Sequence, residues 1–220
     1  AGLKEKLVVT TRSVTRATFL SGLVGLGALA VAPDAHAARS ADAETFVRDN
    51  AARALAALGA ASAAQREQQF RQLMGQFADT RRIGLFVLGR YRGALEADPT
   101  LRSDWLAAFE QYAIANYQTQ FSRFNGASIN VSGSEQTSAT MVEVISTIRP
   151  RGGDPSTVRW KVLRSDHGWR VTDIAVGADA LWLSQVQQRI FLRQLDTEFN
   201  GDLRLLLADV RERTDSMHRS

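Results

Sequence analysis

The order of periodicities along the chain predicts an α+β fold, a curved antiparallel sheet of about four strands packed against several helices. Three observations carry this. Apolar residues recur at helical spacing up to about Phe124, alternate with a period of two between about Ile129 and Val176, and return to helical spacing from Leu181. The strands are consecutive rather than separated by helices, which excludes a parallel βαβ sheet. Asp166-His167-Gly168 is a tight turn between two such strands, so at least one pair is a hairpin.

The first helix runs from Ala41 to about Leu58, with Val47, Ala51, Ala54, Leu55 and Leu58 at helical spacing and Gly59 closing it. A second starts near Ala63 and ends near Gln76, with Phe70, Leu73, Met74 and Phe77 on one stripe. Asp79 then reads as the N-cap of a short helix through Leu88, stopped by Gly89. Asp98-Pro99 is a break. Beyond it, a long helix from about Leu101 to Phe124 presents a broad aromatic face through Trp105, Phe109, Tyr112, Tyr117, Phe121 and Phe124, and Asn125-Gly126 ends it.

A strand across Ile129 to Val131 opens the middle third. From Met141 to Ile148, Val142 and Val144 face one side while Glu143 and Thr147 face the other, which puts Glu143 toward solvent. The loop Arg151-Gly152-Gly153-Asp154-Pro155 leads to Val158, Trp160 and Val162, alternating with Arg159 and Lys161. The hairpin partner, Trp169 to Val176, shifts its apolar residues from Trp169/Val171 to Ile174/Val176, so a β-bulge is expected there. Two helices follow, Leu181 to Phe199 and Asp202 to Arg213, divided by Asn200-Gly201.

Residues 1–37 have a different composition. Lys4, Lys6, Arg12 and Arg16 precede an uncharged stretch from Ala17 to Ala32, and Ala35-His36-Ala37 lies before Ala38. A basic start, a short apolar run and an A-x-A end are the parts of a signal peptide. The apolar run is shorter than the about 20 residues of a spanning helix, although an uncleaved anchor is the alternative. On this reading residues 38–220 form a single α+β domain, and removing the first 37 halves the net charge of +4. Export without any cysteine points to a bacterial periplasm.

Composition excludes much chemistry. With no Cys, there are no disulfides, zinc-thiolate sites or cysteine nucleophiles. The three His are His36 in the leader, His167 in the hairpin turn and His218 near the end, too scattered for a metal centre. Gly22, Gly25 and Gly27 lie inside the apolar leader, and no Walker motif is present. A net charge of +4 is too small to argue for nucleic acid. What remains beyond the leader is all four Trp and nine of the ten Phe, which serve either an ordinary core or the walls of an apolar cavity. Spacing does not separate those two.

Phe77-Ala78-Asp79-Thr80-Arg81-Arg82-Ile83-Gly84-Leu85-Phe86-Val87-Leu88-Gly89-Arg90-Tyr91 resembles the signature segment of the MlaC family. The likeness continues through Phe109, Tyr112, Tyr117 and Phe124-Asn125-Gly126, then Trp169 to Val176, Asn200-Gly201-Asp202 and Leu205-Leu206-Leu207, covering most of residues 44–213. Gly177-Ala178-Asp179-Ala180 stands where the family usually has Glu-Gly, which keeps a hopanoid-associated lipid-binding side branch open as an alternative.

The resemblance implies a periplasmic phospholipid-binding carrier, with an apolar cavity between sheet and helices. Such a carrier shuttles lipid between outer- and inner-membrane complexes of an ABC transport system, in the context of outer-membrane lipid asymmetry and toluene tolerance. Its implied partners are a phospholipid as cargo, an inner-membrane ABC transporter complex and an outer-membrane lipoprotein/porin complex. The implied state is a monomer without cofactor, metal or enzymatic activity. Each exposed CH₂ of a lipid tail costs about 0.8 kcal/mol in water, so a shielding cavity fits the task. On this reading Phe86, Val87, Tyr91, Phe109 and Tyr112 from the helices line or support the cavity. Val144, Trp160, Val162, Trp169 and Val171 do so from the strands. Arg90 and Arg92 would meet the phosphate or a partner, against the alternative of plain solvated surface. A rival is an isomerase- or dehydratase-like enzyme on a cone-shaped α+β scaffold, for which Asp173 is the candidate acid or base. A pure interaction module is the third reading, favoured by a cavity too small for an acyl chain.

Overall fold

Ser40 is extended, and its side chain accepts a hydrogen bond from the Ala43 N–H, starting helix α1 (Ala41–Ala57). In this computed structural model residues 38–59, 62–121, 124–177 and 181–219 are described. The expected leader, residues 1–37, lies outside the described residues. The buried face of α1 is Ala43, Val47, Ala51 and Leu55, one residue per turn. Helix α2 (Ala63–Phe77) is capped by Ser62 and buries Phe70, Leu73 and Phe77. Helix α3 (Thr80–Phe86) has Asp79 as its cap, accepting from the Arg82 N–H at 2.9 Å.

The chain does not stop at Gly89. That residue takes φ +50, and a 3₁₀ turn, Gly89–Gly93, runs into the short α4 (Ala94–Ala97). The Asp98-Pro99 break is also the start of the long helix α5 (Pro99–Phe121). Asp98 accepts from the Leu101 N–H at 2.9 Å, and Pro99 occupies the first turn, where a missing N–H is tolerated. Helix α5 ends at Phe121; Phe124 belongs to a separate turn closed by Gly126 at φ +71.

Four strands follow, β1 (Ser128–Gln136), β2 (Met141–Arg149), β3 (Ser156–Ser165) and β4 (Gly168–Val176), each antiparallel to the next in one sheet of order β1-β2-β3-β4. The bulge expected in β4 is present. Lys161 pairs with Asp173 while Val162 pairs with Val171, so Thr172 is extra. It turns Val171 on one side, and Ile174 and Val176 on the other, toward the same inner face. Strand β1 is longer than its apolar residues suggest, because its polar half is tied to α1. Ser134 Oγ accepts from the Ser40 N–H and donates to Glu44, each at 2.8 Å. Glu143 lies on the outer face opposite Lys161 and pairs with Arg159 at 3.4 Å.

Helices α6 (Leu183–Thr197) and α7 (Leu203–Arg219) complete the fold, the latter running past the expected end at Arg213. Their junction needs Gly201, at φ +78, because a Cβ there would meet Tyr91 Cε1 at 3.1 Å.

Two cores result. The first lies between the inner face of the sheet and α1 and α2, with Val144, Val158, Trp160 and Val162 as its floor. The second lies among α3 to α7, where Trp105, Phe109, Tyr112 and Phe191 form a chain of ring contacts with centroids 5.7–6.4 Å apart. Helices α3 and α5 approach closely at Gly84, whose carbonyl accepts from Trp105 Nε1 at 2.8 Å.

Candidate functional site

The first core does not close. Ala51, Ala54, Leu55 and Leu58 of α1, Phe70, Met74 and Phe77 of α2, and Phe121 and Phe124 beyond them stand over Ile148, Val158, Trp160, Ile174 and Val176 of the sheet. Between them lies a chamber of about 60 Å³, and every lining residue is apolar. The polar atoms of its floor are turned away and paired. Trp160 Nε1 donates to Ser146 Oγ at 2.8 Å, and that hydroxyl donates to the Val158 carbonyl at 3.3 Å.

A second chamber, about 30 Å³ by the same measure, shares Met74, Phe77, Phe121 and Ile174 with the first. It adds Ile83, Val171, Leu183 and two polar side chains, Tyr117 and Asp173. The Tyr117 ring is stacked on Phe121, centroids 5.9 Å apart. Its hydroxyl has no hydrogen-bond partner among the described residues, and burial pushes its pKa up. Asp173 is buried but fully engaged. One carboxylate oxygen accepts from the Ile174 and Ser184 N–H groups, each at 3.0 Å, and the other from Ser184 Oγ. Trp182, at the N-cap position of α6, offers no capping side chain, so Asp173 caps that helix from the neighbouring strand. Burial raises its pKa, and the hydrogen bonds from Ser184 and Ile174 oppose the rise.

Ile83 and Asp173 also border a third, more open recess of about 170 Å³. Its other walls are Arg82, Phe86, Met141, Lys161, Thr172, Ser184 and Gln185. Lys161 Nζ lies 4.2 Å from the centroid of the Trp182 ring.

The residues expected at the site separate between these regions. Trp160 lines the first chamber and Val171 the second. Val144 and Val162 are buried in the same core, and Trp169 packs against it. Phe86 is 41% exposed on the wall of the third recess. Val87, Phe109 and Tyr112 belong to the second core, with Tyr112 Oη donating to Gln187 at 3.1 Å. Tyr91 packs at the edge of that core and donates to Asp196 at 2.6 Å. Arg90 forms an ion pair with the same Asp196, and Arg92 is exposed on the 3₁₀ turn. Sequence reasoning missed Ala51, Leu55, Phe70, Phe77 and Phe121 as cavity walls. Their helical stripes were visible, but the stripes do not say which helix faces the sheet.

Among the described residues no three or more His, Asp or Glu side chains come together to hold a metal ion, and no helix is long and apolar enough to cross a membrane. Chemically, the two chambers offer an apolar group almost no polar contact.

A family model described as MlaC protein matches residues 48–211. Among solved structures, a phospholipid-binding protein from Ralstonia solanacearum, determined in complex with a phospholipid, superposes with a TM-score of 0.65 at 23% identity. The match covers 81% of this chain and 99% of that one. At this identity the likeness concerns the fold. No curated protein matches the chain.

Proposed function

The chain belongs to the MlaC family, and from that premise we propose that it is a phospholipid-binding carrier whose cargo tails lie in the chambers between the sheet and helices α1 and α2. The observation that carries this reading is the unbroken apolar lining from Leu58 and Val176 to Phe77 and Ile174. An ordinary core would close there; a carrier keeps a wall that can part. Helix α2 suits that role, since Gly75 near its end meets nothing within 4 Å and weakens the helix by about 1 kcal/mol relative to Ala. Met74 adds a flexible side chain at the junction of the chambers. The chambers are narrow for a pair of acyl chains, so loading on this reading moves α2 away from the sheet.

The same reading places the protein in the periplasm, with residues 1–37 as its signal peptide. It acts as a monomer between an inner-membrane ABC transporter complex and an outer-membrane lipoprotein/porin complex. Trp160, Val171, Val144, Val162 and Trp169 support the cargo from the sheet, and Arg90 and Arg92 face a partner. No catalytic step is assigned: Asp173, the candidate acid or base of the enzyme reading, is held by three hydrogen bonds as a helix cap. The phospholipid is cargo, so no cofactor is invoked, and a hopanoid remains an alternative cargo of the same cavity.

The test is mass spectrometry of lipid extracted from the purified protein, followed by uptake of labelled phospholipid by the stripped protein. Phospholipid in about molar proportion supports the reading. Absence of native lipid together with failure of uptake overturns it.

A further inference from the structure

The three spaces share walls in order, Met74, Phe77, Phe121 and Ile174 between the first two and Ile83 and Asp173 between the last two, and they differ in polarity in one direction. The chamber under α1 is wholly apolar. The middle chamber is apolar except for Tyr117, whose hydroxyl has no partner among the described residues, and Asp173. The recess beyond Ile83 and Asp173 is lined by two cations, Arg82 from α3 and Lys161 from β3.

Those two cations are unlike several others on this surface. Arg39, Arg71, Arg90 and Arg204 each sit against a carboxylate. Neither the Arg82 guanidinium nor the Lys161 ammonium makes a hydrogen bond or ion pair among the described residues. Lys161 is half-buried against the Trp182 ring, so its stem is positioned rather than free to roam. Asp173, the nearby acid, accepts from Ser184 and Ile174 and lies opposite Lys161 in register, where the Lys161 charge acts on it. Two cations lining a recess that shares Ile83 and Asp173 with an apolar chamber fit a ligand with a phosphodiester at one end and hydrocarbon at the other.

We propose that a glycerophospholipid is held in one fixed direction, with its phosphodiester between Arg82 and Lys161, its ester-linked glycerol beside the Tyr117 hydroxyl, and its chain ends under α1. This rests on the carrier reading and adds to it a headgroup subsite and a polarity of loading. The signature arginine at position 82 then serves as a ligand contact. The exposed Phe86 at the rim of the recess covers the apolar part of the headgroup region.

The experiment loads the full protein with phosphatidylglycerol carrying a diazirine either at the chain end or on the headgroup, photolyses it, and maps the labelled peptides. Chain-end label is expected on Ala51–Leu58 and Phe70–Phe77, and headgroup label on Arg82–Phe86 and near Lys161. The reverse pattern, or label scattered equally over both regions, overturns the fixed direction while leaving the carrier reading intact. Failure of either lipid to load overturns both. A second arm compares phosphatidylglycerol with a diacylglycerol of the same chains. In Arg82→Glu/Lys161→Glu, the preference for the phospholipid is expected to fall about tenfold, the scale of two solvent-exposed ion pairs rather than buried ones. An unchanged preference rejects the subsite. A third arm offers glycerol phosphate alone. It is expected to leave bound phospholipid in place; displacement at equal concentration makes the recess a free-phosphate site and refutes the proposal.

Discussion

Phe77 stands at the junction of the two inner chambers, and its removal separates a cavity wall from an ordinary core residue. The side chain is 5% exposed, with ring centroids 5.4 Å from Phe46 and 5.7 Å from Trp160, the latter edge-on. Truncating a buried Phe to Ala costs about 3–5 kcal/mol. Because Phe77 already borders empty space on two sides, the lower end applies, about 3 kcal/mol for Phe77→Ala. In a domain of this size that lowers Tm by about 6–12 °C. Part of the cost is the hole itself, about 24 cal/mol per Å³, and an acyl chain that occupies the hole removes that part. Urea titrations followed by Trp fluorescence should therefore show the full loss in stripped protein and about half of it in lipid-loaded protein. A loss below about 1 kcal/mol refutes the packing argument. An equal loss in stripped and loaded protein refutes the placement of the tails beside Phe77.

Other perturbations test the frame around the cavity. Gly84→Ala puts a Cβ 2.8 Å from Phe109 Cδ1 at the α3–α5 crossing and should cost about 1–3 kcal/mol in urea titration; an unchanged midpoint contradicts the close approach. Ser146→Ala leaves the buried Trp160 Nε1 without its acceptor, a loss of about 1–3 kcal/mol. Adding Trp160→Phe to it should cost less than the sum of the two single changes. For Asp173, burial raises the folded-state pKa above the ordinary carboxyl value. The folded protein then holds more protons than the unfolded chain between the two pKa values, so stability falls as pH rises through that window and levels off above it. Asp173→Asn keeps an acceptor for the N–H groups of Ser184 and Ile174 and should abolish that slope. Asp173→Ala loses the cap and should cost about 1–2 kcal/mol at neutral pH. A pH slope that survives in Asp173→Asn would assign it to another group.

Local rules carried the element order because each element obeys one. The stripes of α1 and α2, the alternation of β2 and β3, and the Asp79 cap all act within a few residues. The β4 bulge was also legible, since a one-residue phase shift in the apolar pattern has few other causes. Strand β1 was under-read because residues 132–136 are polar, and their place in the sheet depends on Ser40 and Glu44, some 90 residues away in sequence. The same limit governs the site. Phe109 and Trp160 look alike in sequence, each a large ring on an apolar face. One fills the helical core and the other the cavity floor only because α5 packs on α3 and α7 while β3 faces α1 and α2.

That division gives the fold a separation of tasks. The helical core is closed, with Trp105, Phe109 and Phe191 at most 2% exposed and the α3–α5 crossing pinned by a buried hydrogen bond. The sheet core encloses two apolar chambers walled in part by α2, and among the described residues α2 contributes nothing to the second core. On the carrier reading, a protein that admits and releases tails worth about 0.8 kcal/mol per CH₂ cannot place its whole stability on the surface the tails contact. Tyr117, which packs against both cores, lies where the two tasks meet. Its stacking on Phe121, which walls both inner chambers, ties the middle chamber to helix α5. On the carrier reading, movement of α2 opens the cavity while the floor of the sheet, Asp173 and the α6 N-terminus hold the recess in place.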